Sequence, residues 1–175
     1  KGISTYFSGN SLQYGSRDLE YIGSTPASMD SNGKYKSPVE ATCQKNHIVL
    51  FTDGMASSDA GANSFISNKV SNMSFPSGLS KNCDGNEGCA VPFAYYLQNT
   101  DHFQDKDITG EDDPNATEVK QNISLHVVGG FAGITSDAEK MLNNAALYGH
   151  PLTEEHYTVV NGKKVSKHYY KSDDE

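Results

Sequence analysis

Thr52-Asp53-Gly54 closes an unbroken apolar run, Ile48-Val49-Leu50-Phe51, and sets a carboxylate where a strand gives way to a turn. A run this short, with polar flanks, suits a parallel strand buried on both faces. Ligands of open α/β sheets bind at the C-terminal edge of the strands, so Asp53 is placed to meet a cation or a polar partner. The competing role is local, with Asp53 capping the next turn and Gly54 supplying a positive φ. In Gly23-Ser24-Thr25-Pro26, Pro26 fixes φ and holds Thr25 extended with its hydroxyl presented from a turn, by itself a commonplace loop. Asp105-x-Asp107-x-Thr109-Gly110-Glu111 imitates the start of a calcium loop, but Ala116 stands where the bidentate Glu is required. An acidic solvated loop is the better reading, and calcium is the less favoured ion.

The other residues with chemistry to offer are cysteines and histidines. Cys83 and Cys89 bracket a flexible Asp84-Gly85-Asn86-Glu87-Gly88 loop that can bring two sulfurs together, which favours a local disulfide and leaves Cys43 over. A zinc site is disfavoured, because the chain has no Cys-x-x-Cys and no His-x3-His. His126 lies mid-strand among apolar neighbours and reads as a hydrogen-bonded structural histidine rather than a catalytic one. No Gly-x-Ser-x-Gly elbow, phosphate-cradling loop or metal-His pair is present, so no nucleophile and base can be named together. An α/β hydrolase using Asp53 with His126 or His102 is therefore the weaker alternative, and a non-catalytic binding module the stronger.

The 175 residues suffice for one domain with a real core. A net charge of −8 argues against a nucleic-acid binder, since no Lys/Arg cluster is available to neutralise phosphates. Apolar residues at 35% and 16 glycines predict long polar loops on a modest framework. No transmembrane run occurs, and the absence of an initiator Met and of a signal-type segment reads as a start internal to a larger precursor.

The elements that must position these residues follow from periodicity. Residues 1–36 form a loop-rich segment. A weak helix is expected over Asp59–Met73, with Phe65, Ile66, Val70 and Met73 on one face, and a firmer one over Ala90–Gln98, with Ala90, Phe93, Ala94 and Leu97 inward. Ile123, Leu125 and Val127 alternate with Ser124, His126 and Val128 in a second strand ending at Gly129-Gly130. Ser136 and Glu139 suggest a capping box for a helix carrying Ala138, Met141, Leu142, Ala145 and Ala146 inward and stopped by Gly149 and Pro151. Asn161-Gly162 predicts a hairpin between His156–Val160 and Lys163–Tyr170, and the charged tail from Lys171 should fray. Strand, helix, strand, helix, strand describes part of a doubly wound, mostly parallel α/β sheet with a C-terminal β-hairpin.

In this setting three stretches gain weight together. Ser37-Pro38-Val39-Glu40 precedes Cys43-Gln44-Lys45-Asn46-His47-Ile48-Val49-Leu50-Phe51-Thr52-Asp53-Gly54. Gly88-Cys89 leads into Phe93-Ala94-Tyr95-Tyr96-Leu97 and Asn99-Thr100-Asp101, and Gln121-Asn122-Ile123-Ser124-Leu125-His126-Val127-Val128-Gly129-Gly130-Phe131 follows. In this order the chain resembles, over residues 37–150, the von Willebrand factor A-like domain of type IV pilus tip adhesins and biogenesis factors, the PilC/PilY group. The resemblance implies a Rossmann-like sheet, incomplete at its N-terminus, with 37–175 as the C-terminal portion of the domain. It implies an extracellular module at a pilus tip or bacterial surface, binding a host or surface receptor and minor pilins or the rest of the precursor. It also implies a divalent cation, usually magnesium, with Asp53 and Thr25 as ligands. The family's Asp-x-Ser-x-Ser loop is absent from this chain. The strand that carries it should border the His47–Phe51 strand, so that sheet edge is expected to be covered by another segment or a partner, and a bare edge would count against the resemblance.

Overall fold

The structure is a computed structural model that describes residues 6–9, 29–30, 32–40, 44–54, 62–83, 88–102, 120–130 and 134–171. The chain divides into two units, one of residues 1–46 and 100–122, the other of 47–99 and 123–175. In the first unit, Phe7, Met29 and Val39 are buried, and the Tyr6 ring meets those of Phe7 and Tyr35 edge-on. Asp30 folds a tight turn by accepting from the backbone N–H of Asn32 and Lys34 at 2.9 and 2.8 Å. The Lys34 N–H does most to hold this carboxyl below its ordinary range. Asn46 is buried there, its Nδ2 donating to Gln121 Oε1 at 3.4 Å.

The second unit is a mixed α/β structure. Its described elements are β1 (Asn46–Thr52), α1 (Asn63–Val70), α2 (Ala90–Asn99), β2 (Ile123–Gly129), α3 (Ser136–Tyr148), β3 (Tyr157–Val160), β4 (Lys163–Ser166) and β5 (Tyr169–Lys171). Three strands form a sheet in the order β1-β2-β5, and β3 and β4 form a separate antiparallel pair. β2 and β5 are parallel, with Val127 opposite Tyr169 and Gly129 opposite Lys171. β1 runs the same way: His47 near the start of β1 meets His126 in the middle of β2, and Gly130 N donates to Thr52 O further along both. Asn161 and Gly162 take positive φ of 50° and 74°, the geometry of a type I′ turn. The hairpin's second arm is shorter than expected. It ends at Ser166, and Tyr169–Lys171 leaves it to join the main sheet as β5.

α2 and α3 cover one face of this sheet. Val91 and Ala94 of α2 and Met141, Leu142, Ala145 and Ala146 of α3 form one buried cluster with Leu125 and Val127 of β2. Burial is the driving force, each large side chain contributing roughly 1.5–3 kcal/mol on removal from water. α2 is rotated from its expected stripe: Val91, Pro92, Ala94, Tyr96 and Leu97 are buried, while Ala90 is exposed and Phe93 half-buried. α1 is shorter than the expected helix and buries Ile66 and Val70. Cys83 and Cys89 are joined in a disulfide just before α2. None of the helices among the described residues is long and apolar enough to cross a membrane.

α3 starts one residue earlier than the capping box suggested. Thr135 is the N-cap, its hydroxyl accepting from Ala138 N at 3.3 Å, and Glu139 instead reaches Lys171 at 3.2 Å in an exposed pair. Thr135→Ala should therefore lower stability by about 1 kcal/mol, and Glu139→Gln by less than about 0.5, measured by urea melts.

One expectation about β1 is overturned. The strand is not buried on both faces: Val49 is 53% exposed and Phe51 73%, and Leu50 on the opposite face is 39% exposed. Among the described residues only β2 pairs with β1, and the segments expected to cover its outer edge lie largely outside them. Helices lie over Ile48 and not over Val49 and Phe51, so the apolar run faces water where a sheet interior would have enclosed it.

Candidate functional site

At the C-terminal ends of β1 and β2, Thr52 and not Asp53 holds the turn. Its hydroxyl accepts from Gly54 N at 3.2 Å and donates to Gly54 O at 2.9 Å, while Gly54 adopts a φ of 152°. Asp53 is exposed. Thr25, Cys43 and the Asp105–Glu111 loop lie outside the described residues. Magnesium demands near-octahedral oxygen coordination, and a lone exposed carboxylate does not assemble it, so the described residues at this edge do not fit that ion. Asp53 is also remote from His126. Gly130, four residues beyond His126, bonds to Thr52 at the end of β1, so Asp53 lies at least about 13 Å past His126 at strand rise and the described geometry does not bring the two together.

The chemistry collects at the other end of the sheet. Of the six histidines, His47, His126, His150, His156 and His168 form one continuous group. β1 supplies His47 and β2 supplies His126, on the face away from α2 and α3. His150 follows α3, where Gly149 lies against β2 and its carbonyl accepts from Leu125 N at 3.1 Å. His168 immediately precedes β5, and its carbonyl accepts from Val127 N at 2.9 Å. His156 leads into β3 and bonds back through its own carbonyl to Lys167 N.

Ring geometry is tight throughout. His47 Nδ1 lies 3.1 Å from His126 Nε2, and His156 Nδ1 lies 2.9 Å from His168 Nε2. The His150 and His168 rings stack at 3.5 Å, and His126 meets both edge-on at 4.8 and 4.9 Å. His150 Nδ1 lies 3.1 Å from Ala146 O, so it carries the proton and leaves a bare lone pair on Nε2. That Nε2, and Nδ1 of His168, are buried without a hydrogen-bond partner. Burial, followed by neighbouring histidines, lowers the pKa of His150 to about 3 and of His168 to about 4, the Ala146 carbonyl offsetting only part of the effect on His150. His126 is lowered too, chiefly by burial and then by His47. All three imidazoles are therefore neutral at pH 7.

No protein-family model, no curated protein and no solved structure matches the chain.

Sequence spacing missed this group because its members come from five separate segments, two strands and three connections. Cys-x-x-Cys and His-x3-His tests detect ligands on one local element, whereas parallel strand order assembles these. One signal was available: His47 stands at the start of the first expected strand, and His150 directly follows a helix stop.

Proposed function

We propose that this chain is a non-catalytic, extracellular binding module of the type IV pilus tip adhesin kind, a von Willebrand factor A-like domain that engages a polypeptide partner along β1. The observation that carries the reading is the outer edge of β1, apolar over Val49, Leu50 and Phe51, exposed, and without a strand beside it among the described residues. An edge left open among the described residues suits a chain that works by accepting a strand. Exposed edges of this kind template pairing with another chain, where main-chain hydrogen bonds supply affinity and alternate side chains supply selectivity. The partner is a minor pilin or another segment of the same precursor, and loops at the strand ends are left to meet a host or surface receptor. The parallel order β1-β2-β5 with helical crossovers agrees with the resemblance, and the Cys83–Cys89 disulfide suits an oxidising, extracellular setting.

A double variant, Val49→Lys with Phe51→Lys, tests the reading. Both side chains are exposed, so folding stability should change by no more than about 0.5 kcal/mol per site. Surface attachment or pilus display in the producing bacterium should nevertheless fall at least about tenfold, because charges on the strand oppose edge pairing. Undiminished attachment, with the variant protein present at normal level, would refute it.

A further inference from the structure

We propose that His126, His150 and His168 bind a divalent transition-metal ion of the zinc and copper(II) class, independently of the adhesin reading. Each of the three offers one ring nitrogen, and these atoms lie within 4.8 Å of one another. Two nitrogens on one tetrahedral zinc ion are about 3.4 Å apart, so the most widely spaced pair must close by roughly 1.4 Å, within reach of small ring rotations.

Three features point to an ion rather than to packing alone. The first is buried ring nitrogens without partners. His150 is 4% exposed and its Nε2 has no hydrogen-bond partner, nor does buried Nδ1 of His168. Leaving such a group unsatisfied costs about 1–3 kcal/mol, and a cation at the cluster would take up the bare lone pair of His150 Nε2. The second is orientation. The Ala146 carbonyl at 3.1 Å from His150 Nδ1 fixes the tautomer with Nε2 unprotonated, as backbone carbonyls do for metal-bound imidazole. The third is redundancy: His47 and His156 stand 3.1 and 2.9 Å from His126 and His168, within reach as a fourth ligand or as outer partners.

The ligand chemistry selects the ion. Neutral imidazoles suit zinc, copper and nickel, whereas magnesium and calcium require oxygen donors. No carboxylate joins the three, and the ion keeps its positive charge in a chain whose net charge is −8. Because parallel planes do not aim lone pairs at a common point, coordination must splay the His150–His168 stack, which lies at an interplanar angle of 4°. Once bound, the ion ties β2, the end of α3 and the entrance to β5 together, so the site acts as a clip on the sheet.

Untagged protein stripped with chelator and dialysed is titrated with zinc chloride, copper(II) chloride and magnesium chloride. The expected result is one equivalent of zinc or copper bound, a Tm rise of roughly 5 °C or more at saturation, and no response to magnesium. Cobalt(II) should give the visible absorption of a four- or five-coordinate site. His150→Ala and His168→Ala should weaken zinc binding at least about tenfold. His126→Asn, at a half-buried position, serves where the others fail to fold. The copper arm separates a copper site, with higher affinity and a type 2 resonance spectrum, from a zinc site. Either result supports the proposal. Failure of both ions to bind at one equivalent, or unchanged affinity in a folded variant at any of the three positions, overturns it.

Discussion

Taken from pH 7 to pH 5 in the presence of chelator, the protein should lose roughly 2–4 kcal/mol of stability and about 5–10 °C of Tm. The groups responsible are His150 and His168, whose pKa values fall from 6.5 to about 3 and about 4 on folding, with a smaller part from His126. In each case the folded value lies below the unfolded one, so the unfolded chain takes up protons first. The contribution is complete above pH 6.5, and it is lost progressively as pH falls toward the folded values. At pH 5 the linkage for one histidine cannot exceed about 2 kcal/mol, since unfolded imidazole sits only about 1.5 units above that pH. His150 should approach this limit because it is almost fully buried, whereas half-buried His168 and His126 fall short of it through solvent screening. Ordinary carboxylates titrate mostly below this window, so the slope belongs to the histidines. Thermal melts of wild type and His150→Phe at pH 7, 6 and 5 check it. The phenyl ring keeps the stack and cannot take a proton, so the variant's slope should be visibly shallower. Parallel slopes would show that His150 is not held neutral by its surroundings.

The same residues show what the sequence could and could not convey. β2 was readable because Ile123, Leu125 and Val127 bury one face and Ser124, His126 and Val128 alternate with them, a period-2 signal written locally. α3 and the Asn161-Gly162 turn were readable for the same reason: a helix stripe with its stop, and a turn pair, are complete within a few residues. β1 was misread because an apolar run reports only that burial is favourable. Whether Val49 and Phe51 are covered depends on a neighbour that the run does not encode. β5 was hidden because Tyr169 and Tyr170 looked like the end of a hairpin arm and Lys171 like the start of a frayed tail, and losing β5 lost the position of His168. The histidine group depends on that missing step. Strand order brings β2 beside β5, and only then do His126 and His168 share a face with His150. Asp53 was correctly put at a strand terminus, but its neighbours could not be read, and the turn that its competing local role would have capped is held by Thr52.

Gly149→Ala should destabilise the protein by about 1–2 kcal/mol and weaken metal binding by more than that loss explains. Glycine has φ of −79° here, so the backbone itself would accept alanine, and the smaller entropy of the unfolded alanine chain would favour it by about 0.4–1 kcal/mol. Packing decides the sign. A Cβ at this position would lie 2.7 Å from Leu125 Cβ and 2.9 Å from Ala145 O, so the end of α3 must move away from β2. The neighbouring Leu125 N–H, which donates to Gly149 O at 3.1 Å, would be strained by the same movement. His150 is the next residue, and its Nδ1 contact with Ala146 O and its stack on His168 both depend on where α3 ends. A shift of a few tenths of an ångström therefore reaches Nε2 directly. Gly130→Ala is the control, because nothing lies within 4 Å of a Cβ there, and it should change stability by less than about 0.5 kcal/mol. Zinc titration of both variants, beside urea melts, separates the effects. Were Gly149→Ala as stable as wild type with zinc affinity unchanged, the close approach of α3 to β2 would not be what positions His150.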